Sequence, residues 1–345
     1  MKQKLLNLLF GLSAALVAAT QASAGTLDDV KKKGFLQCGV SQGVAGFSLP
    51  DSQNNWTGMD VDFCRAVAAA IFKDSTKVKF TPLSAKERFA ALQSGEIDIL
   101  ARLTTWTMSR DTSLGFKFAG VWYYGGQGFM VRKSLGVDSA LKLDGATICV
   151  APGTTTELNL TDYFNTHNIK YQGVGIEDSN AIRQAYDEGR CDVLTSDQSI
   201  LYAERLQLKN PDDHVVLPEI ISKEPVGPVV RQGDDAWFNV VKWTNFALLN
   251  AEENGITQAN IDDMKNSANP EIRRLLGVAN ADGSSAGFGT GIGLDEDWVV
   301  NIVKGVGNYG EIFDRNVGSK SPLKIDRGIN ALWKDGGLQY APPIR

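Results

Sequence analysis

Three short stretches of the chain concentrate side chains able to hold a small charged molecule. The first is Arg102-Leu103-Thr104-Thr105-Trp106-Thr107-Met108-Ser109-Arg110. Its hydroxyls can donate or accept, and Arg110 offers the planar guanidinium fork that grips a carboxylate through two parallel hydrogen bonds. The second is Ala151-Pro152-Gly153-Thr154-Thr155-Thr156-Glu157. Thr154 and Glu157 have capping-box spacing, which makes Thr154 the expected N-cap of a helix. The N–H groups of Thr155 and Thr156 then point out of a helix amino end, which carries about half a positive charge and suits a carboxylate. The third is Thr195-Ser196-Asp197-Gln198, where Asp197 can receive an ammonium group or cap a helix. Each stretch alone has a plainer reading, as a surface salt bridge or a capped helix. Together they offer cationic groups for a carboxylate and an anionic one for an amine. The ligand that carries both charges close together is an α-amino acid.

The elements that must position these stretches form a repeated pattern. Short apolar runs alternate with helical periodicity, which argues for an α/β fold. Residues 35–40, 78–80 and 97–101 read as strands. Residues 60–72 read as a helix with Val61, Cys64, Val67, Ala68 and Ile71 on one face. Residues 85–94 form another, with Phe89 and Leu92 inward and Gly95 ending it. A second run follows: strands at 146–150, 170–174 and 191–195, and helices at 154–164 and 179–188. Gly95-Glu96-Ile97-Asp98-Ile99-Leu100 and Gly189-Arg190-Cys191-Asp192-Val193-Leu194 repeat one plan, a glycine-ended helix followed by a strand that runs into polar residues. Two similar lobes are expected, with a ligand in the cleft outside the carboxyl ends of the strands. Residues 128–133 read as a strand crossing between them and 226–231 as the return, and two such crossings beside glycines make a hinge. The lobes expected are 25–129 with 227–345, and 130–226. A long helix over 234–254 carries a stripe of Trp237, Val241, Thr244 and Leu248 that reads as core. Asn269-Pro270 starts another helix, 279–293 reads as a glycine-rich loop, and 295–306 and 325–334 read as helices of a tail wrapping the first lobe.

Composition narrows the classes of function. The 345 residues carry 40 acidic and 35 basic side chains, a net charge of −5, with 43% hydrophobic residues. That is no disordered chain, and it offers no basic footprint for nucleic acid. Two histidines, His167 and His214, leave little room for a histidine-rich metal site. Residues 1–24 read as a cleaved signal peptide: Lys2 and Lys4, then an apolar run too short for a span, then Ala22-Ser23-Ala24. Export places Cys38, Cys64, Cys149 and Cys191 in an oxidising compartment. Three connectivities are open; Cys38–Cys64 with Cys149–Cys191 is preferred because each pair then closes inside one lobe. Gly283-Ser284-Ser285-Ala286-Gly287 fits G-x-S-x-G, yet it lies in a glycine-rich loop and both histidines precede it, so a serine hydrolase is rejected.

The run Gly58-Met59-Asp60-Val61-Asp62-Phe63, leading into an alanine-rich helix, is similar to the signature of family 3 solute-binding proteins. The likeness extends from about Thr26 to Arg345. It is closest to the general L-amino-acid-binding branch, through Thr104-Thr105-Trp106-Thr107, Gly153-Thr154-Thr155-Thr156-Glu157, the stretch from Val306 to Asn316, and Tyr340-Ala341-Pro342-Pro343-Ile344. The resemblance implies a two-lobed type II periplasmic binding fold, a free L-amino acid as ligand, and an ABC membrane permease as partner. It also implies a periplasmic location, action as a monomer, and neither cofactor nor catalysis. It assigns Arg110 to the carboxylate, Thr155 to a backbone donor and Asp197 to the ammonium. Thr105, the backbone at Leu103, Thr154 and Trp106 become further contacts, and Val44 and Phe47 a wall over the side chain. Leu103, Trp122, Gly125 and Ala151-Pro152 depart from the branch, which points to a less polar or unusual side-chain pocket. A cyclohexadienyl dehydratase-like enzyme on the same fold is the alternative; it needs a general acid, for which Glu87 or Glu157 are the candidates.

Overall fold

The computed structural model describes residues 25–279, 282–284 and 288–345; the leader expected over 1–24 and residues 285–287 of the rejected motif lie outside it. Two five-stranded sheets organise the chain. In the first, the strand Leu36–Val40 lies parallel to Val78–Pro82 on one side and to Ile99–Leu100 on the other. Val229–Arg231 then enters antiparallel between Ile99–Leu100 and Phe116–Phe118. The second repeats the order: Ala146–Val150 is parallel to Tyr171–Gly175 and Val193–Asp197, and Gln127–Arg132 enters antiparallel between Val193–Asp197 and His214–Val216. The repeated plan in the sequence is thus a repeated sheet.

The strands read as crossings, over 128–133 and 226–231, turn out to be the antiparallel strands inserted into the lobe that each one enters. The link itself lies just before them, where Tyr123–Gly125 pairs antiparallel with Glu224–Val226. Gly227 permits the tight return: a Cβ there would stand 2.1 Å from the Gly120 carbonyl oxygen. The segment before Trp106 is pinned to the same link, for Thr105 bridges to Val226 and the Trp106 N–H donates to the Pro225 carbonyl at 2.8 Å.

One large core covers one face of the first sheet, and a small cluster of Leu92, Leu100, Phe116, Phe118 and Val229 covers the other. The large core takes in the helices Met59–Phe72, Asp235–Glu253, Trp298–Val306 and Tyr309–Asn316, and the stripe of Trp237, Val241, Thr244 and Leu248 is buried in it. The second sheet is served by two smaller clusters, one per face: Phe129 and Val131 point into one, Met130 into the other, as strand alternation requires. Cys38 is bonded to Cys64, and Cys149 to Cys191. The first disulfide fastens the strand Leu36–Val40 to the Met59–Phe72 helix; the second fastens the matching strand Ala146–Val150 to the approach of Val193–Asp197.

The tail wraps the first lobe, but not as the two helices expected. Trp298–Val306 is helical, whereas 325–334 yields only the short turns Gly328–Asn330 and Trp333–Asp335. Ala331, in extended conformation, ends the first turn, and Gly336, with positive φ, ends the second. The Asn330 side chain is engaged instead with the link: its Oδ1 accepts the Tyr124 N–H at 2.7 Å and its Nδ2 donates to the Tyr124 carbonyl at 3.0 Å. A helix not anticipated, Tyr309–Asn316, carries a complete capping box between Asn308 and Glu311.

The two carboxylates of the Gly58–Phe63 signature have structural duties. Asp60 accepts the Leu103 N–H at 3.2 Å, and Asp62 receives Arg315 at 2.7 Å together with Asn316. One holds the loop after Ile99–Leu100, the other fastens the tail.

Candidate ligand-binding site

A cavity of about 110 Å³ lies between the two sheets, at the carboxyl ends of the strands. Of the expected site residues, Val44, Leu103, Thr105, Thr154, Thr155 and Asp197 line it. Arg110, Phe47 and Trp106 do not. Phe47 is fully buried, edge-on to Tyr123 at 5.5 Å. Trp106 stacks on Phe118 at 5.4 Å and is 39% exposed. Both rings are occupied by other rings, which turns them from the cavity.

The second lobe provides a capped helix end and an acid. Thr154 caps the helix Thr155–Thr166, accepting the Glu157 N–H at 3.2 Å, while Glu157 reaches back to the Gly153 N–H at 2.9 Å. Asp197 ends the strand Val193–Asp197 and stands at the N-cap position of the helix Gln198–Arg205, but its side chain makes no capping bond. Its Oδ1 is buried and has no hydrogen-bond partner. Burial, and then the charge of Glu224, push this carboxyl up to about 8. A buried acid with one oxygen left unpartnered beside a polar cavity is arranged for a cation that the ligand brings. Gly125 makes room for it, since a Cβ there would lie 2.6 Å from the Asp197 Oδ1.

The first lobe provides positive charge. Arg88 and Arg102 line the cavity, and Arg110 lies behind them. Arg110 is buried; it donates to the Thr105 carbonyl at 2.7 Å and lies over the Phe89 ring at 5.2 Å. Arg88 lies over the other reach of the same ring at 4.6 Å. Among the described residues no acidic side chain pairs with Arg88, and its Nε has no partner although the residue is 3% exposed. Burial, then Arg102 and Arg110, lower its proton affinity well below the usual range. Burial likewise lowers Arg102 to about 10, against the opposing pull of Asp60, and raises Asp60 to about 7. Leu103 and Ala151 line the cavity beside Arg88 and Arg102, so its wall combines apolar surface with cationic groups. Leu103, between these groups, holds φ at 43°, a left-handed conformation that a bulky residue adopts only under local constraint; the bond from its N–H to Asp60 supplies that constraint.

Behind the cavity, Glu224 of the linking strand joins the lobes. It is 3% exposed. Its Oε2 accepts from Thr105 of the first lobe at 2.5 Å and from Thr155 of the second at 3.0 Å. Its Oε1 accepts from Asn159 at 2.7 Å and Ser222 at 2.9 Å. The two threonine hydroxyls lie 3.2 Å apart, so the jaws touch.

Sequence reasoning included Arg102 in the first stretch without giving it a role, and missed Arg88 and Glu224. For Arg88 a signal existed: it precedes Leu92 by four residues, on the helix face read as buried. Glu224 offered none, being one acid beside Lys223 and Pro225.

Two lobes of one plan, joined by paired strands and closed over a cavity with an acid on one wall and guanidinium groups on the other, define a two-jawed receptor for a small zwitterion or anion. The comparisons agree in class. Residues 36–263 match the model of the bacterial extracellular solute-binding proteins, family 3, and the chain belongs to that family. It is 63% identical over 345 residues, the whole of both chains, to the general L-amino acid-binding periplasmic protein of Rhizobium johnstonii. It is 52% identical over 333 residues, 96% of each chain, to the glutamate/glutamine/aspartate/asparagine-binding protein of Rhodobacter capsulatus. A solved periplasmic binding protein from Brucella ovis with glutathione bound matches it with a TM-score of 0.91 and 63% identity, over 93% of this chain and 100% of that one.

Proposed function

We propose that the chain is a periplasmic receptor that captures free L-amino acids between its jaws and, as a monomer, hands them to the membrane permease of an ABC importer. The jaws are residues 25–126 with 227–345, and 127–226; the expected boundary at 129/130 moves because residues 127–129 pair within the second sheet. The observation that carries the reading is the buried Asp197 carboxylate, with Oδ1 unpartnered, facing a cavity whose opposite wall is cationic. An α-ammonium pairs with Asp197, and an α-carboxylate with the arginine cluster and the amino end of Thr155–Thr166. The leader-like residues 1–24 and the printed names of the relatives support the location and the partner.

Arg88 and Arg102 give the side-chain end of the cavity a preference for acidic residues and their amides. The name of the Rhodobacter relative fits that preference, and a γ-glutamyl peptide presents the same zwitterionic head. Closure follows from differential affinity: only the closed form offers both walls. Hydrogen bonds to charged groups contribute about 1.5–3 kcal/mol each, so three or four suffice for the ~5.5 kcal/mol that moves a population from 1:99 to 99:1.

The enzymatic alternative finds no support in its own candidates. Glu87 is tied to Ser84, accepting its N–H at 3.1 Å, Glu157 is tied to Gly153, and neither lines the cavity. The test is a thermal-shift screen of the purified receptor against the common L-amino acids and glutathione, followed by calorimetry. A ligand that binds only the native state raises the melting temperature. Glutamate, aspartate and their amides are expected to give the largest shifts; a screen in which none moves it overturns the proposal.

A further inference from the structure

Glu224 is a buried acid that reaches the cavity only through other side chains. Each threonine hydroxyl has one hydrogen and two lone pairs, and a carboxylate oxygen accepts without donating. The Thr105 and Thr155 hydroxyls both donate to Glu224 Oε2, at 2.5 and 3.0 Å. Their hydrogens therefore point away from the cavity that both residues line, and what they turn toward it is lone pairs. We propose that Glu224 is a positioning residue for ligand: by taking both hydroxyl hydrogens it fixes Thr105 and Thr155 as acceptors, completing with Asp197 an anionic cradle for the ligand's ammonium group. This deepens the receptor reading and rests on it.

The surroundings bear on the alternative that Glu224 only braces the link. Its other oxygen is held by Asn159 and Ser222, so four donors from both lobes and the linking segment converge on one carboxylate. The geometry is unforgiving of an amide. In Glu224→Gln the new NH₂ group faces donors whichever way it turns. The hydroxyls are the groups free to rotate; they then accept from the amide and swing their hydrogens into the cavity, where they repel an ammonium. The same variant removes a negative charge that faces Asp197. Asp197 is also faced by Tyr123 on the companion linking strand; Glu204 lines the same cavity but is paired with Arg183 at 3.0 Å, and Arg110 lies behind Thr105. Of these, Glu224 is the carboxylate whose charge opposes ionisation of Asp197.

The experiment is calorimetry of the full receptor with L-glutamate, L-glutamine and glutarate, the last lacking the amino group, across pH 5–9. Glu224→Gln is expected to weaken both amino acids by about 10- to 100-fold at pH 7 and to leave glutarate unchanged. Its acid limb of affinity should move to lower pH. Thr105→Val should weaken the amino acids similarly, Thr105→Ser should not, and Glu224→Gln with Thr105→Val should lose little more than either alone. A brace acting only on structure would weaken all three probes, leave the acid limb in place and add to Thr105→Val, and that pattern overturns the inference. Wild-type protein that binds while Glu224→Gln matches it overturns this inference alone. Wild-type protein that binds neither amino acid overturns the receptor reading and this one with it. Should Glu224→Gln fail to fold, Thr105→Val against Thr105→Ser decides: equal affinities overturn it.

Discussion

The two sheets share a strand order but not a setting. The first is backed on one face by a large core built with four helices and the tail, and on the other by a small cluster of Leu92, Leu100, Phe116, Phe118 and Val229; the second has only smaller clusters, one on each face. The charges differ as well. The first lobe brings Arg88 and Arg102 to the cleft, with Arg110 behind them, and the second brings an acid and a helix end. One plan of strands can thus serve as platform or as light jaw according to what is packed around it, and the site's polarity follows from which lobe supplies which charge. Thin cores with more exposed backbone bonds open at lower free energy, so the second lobe is expected to show the faster hydrogen exchange in the empty receptor.

The sharpest break of this comparison removes one charge from each lobe. Asp197→Ala and Arg110→Ala should each lower affinity for an L-amino acid by at least about 100-fold, as losing one partner of a buried charged pair does. Asp197→Ala should leave the melting temperature unchanged or higher, because it deletes a buried acid with an unpartnered oxygen. Near-native affinity for either variant in calorimetry would move the zwitterion's poles elsewhere. The disulfides test the cores. Replacing Cys149 and Cys191 by serine, or Cys38 and Cys64, should each cost about 3–4 kcal/mol, with sequence separations of 42 and 26 making the former about 0.4 kcal/mol the larger. Denaturant unfolding measures both; a much greater excess for the second lobe would mean its core depends on the crosslink.

A pH series sharpens the contrast in charge. Asp197 and Asp60 hold their protons to about 8 and 7 in the fold, against about 3.8 unfolded. The folded empty receptor therefore binds more protons than the unfolded chain between these values. Their contribution to stability is full below pH 4 and is lost as pH rises toward 8. A ligand ammonium needs Asp197 ionised, so the ligand-induced rise in melting temperature should grow from pH 5 to pH 8 while the empty receptor's stability contribution from Asp197 shrinks. Asp197→Asn should flatten the ligand-dependent trend. The smallest effect is expected at Gly125, where an alanine Cβ would crowd the Asp197 carboxylate at 2.6 Å. Gly125→Ala should weaken binding about tenfold, roughly 1.4 kcal/mol, with the melting temperature of the empty receptor nearly unchanged.

Much of this was legible from local patterns. The strand expected over 146–150 is Ala146–Val150, Thr154 caps its helix, and both cysteine pairings follow from the lobes. These features depend on periodicity, on capping chemistry and on chain order, all of which a sequence carries. What depends on distant partners was not legible. Phe47 looks like a free aromatic wall and Trp106 like a ligand contact until Tyr123 and Phe118 pack against them. Residues 325–334 have helical periodicity, yet Asn330 is drawn to a strand two hundred positions earlier. Glu224 gains its meaning from four donors scattered between 105 and 222, which no spacing rule collects.

Asn330 has a consequence beyond the tail. Its carboxamide meets both the N–H and the carbonyl of Tyr124, imitating one residue of a neighbouring strand. A two-stranded ribbon offers an open edge to any extended peptide, an invitation to strand addition and aggregation. Here a single side chain fills that edge where the ribbon is shortest, so the joint can flex in a crowded compartment without recruiting another chain.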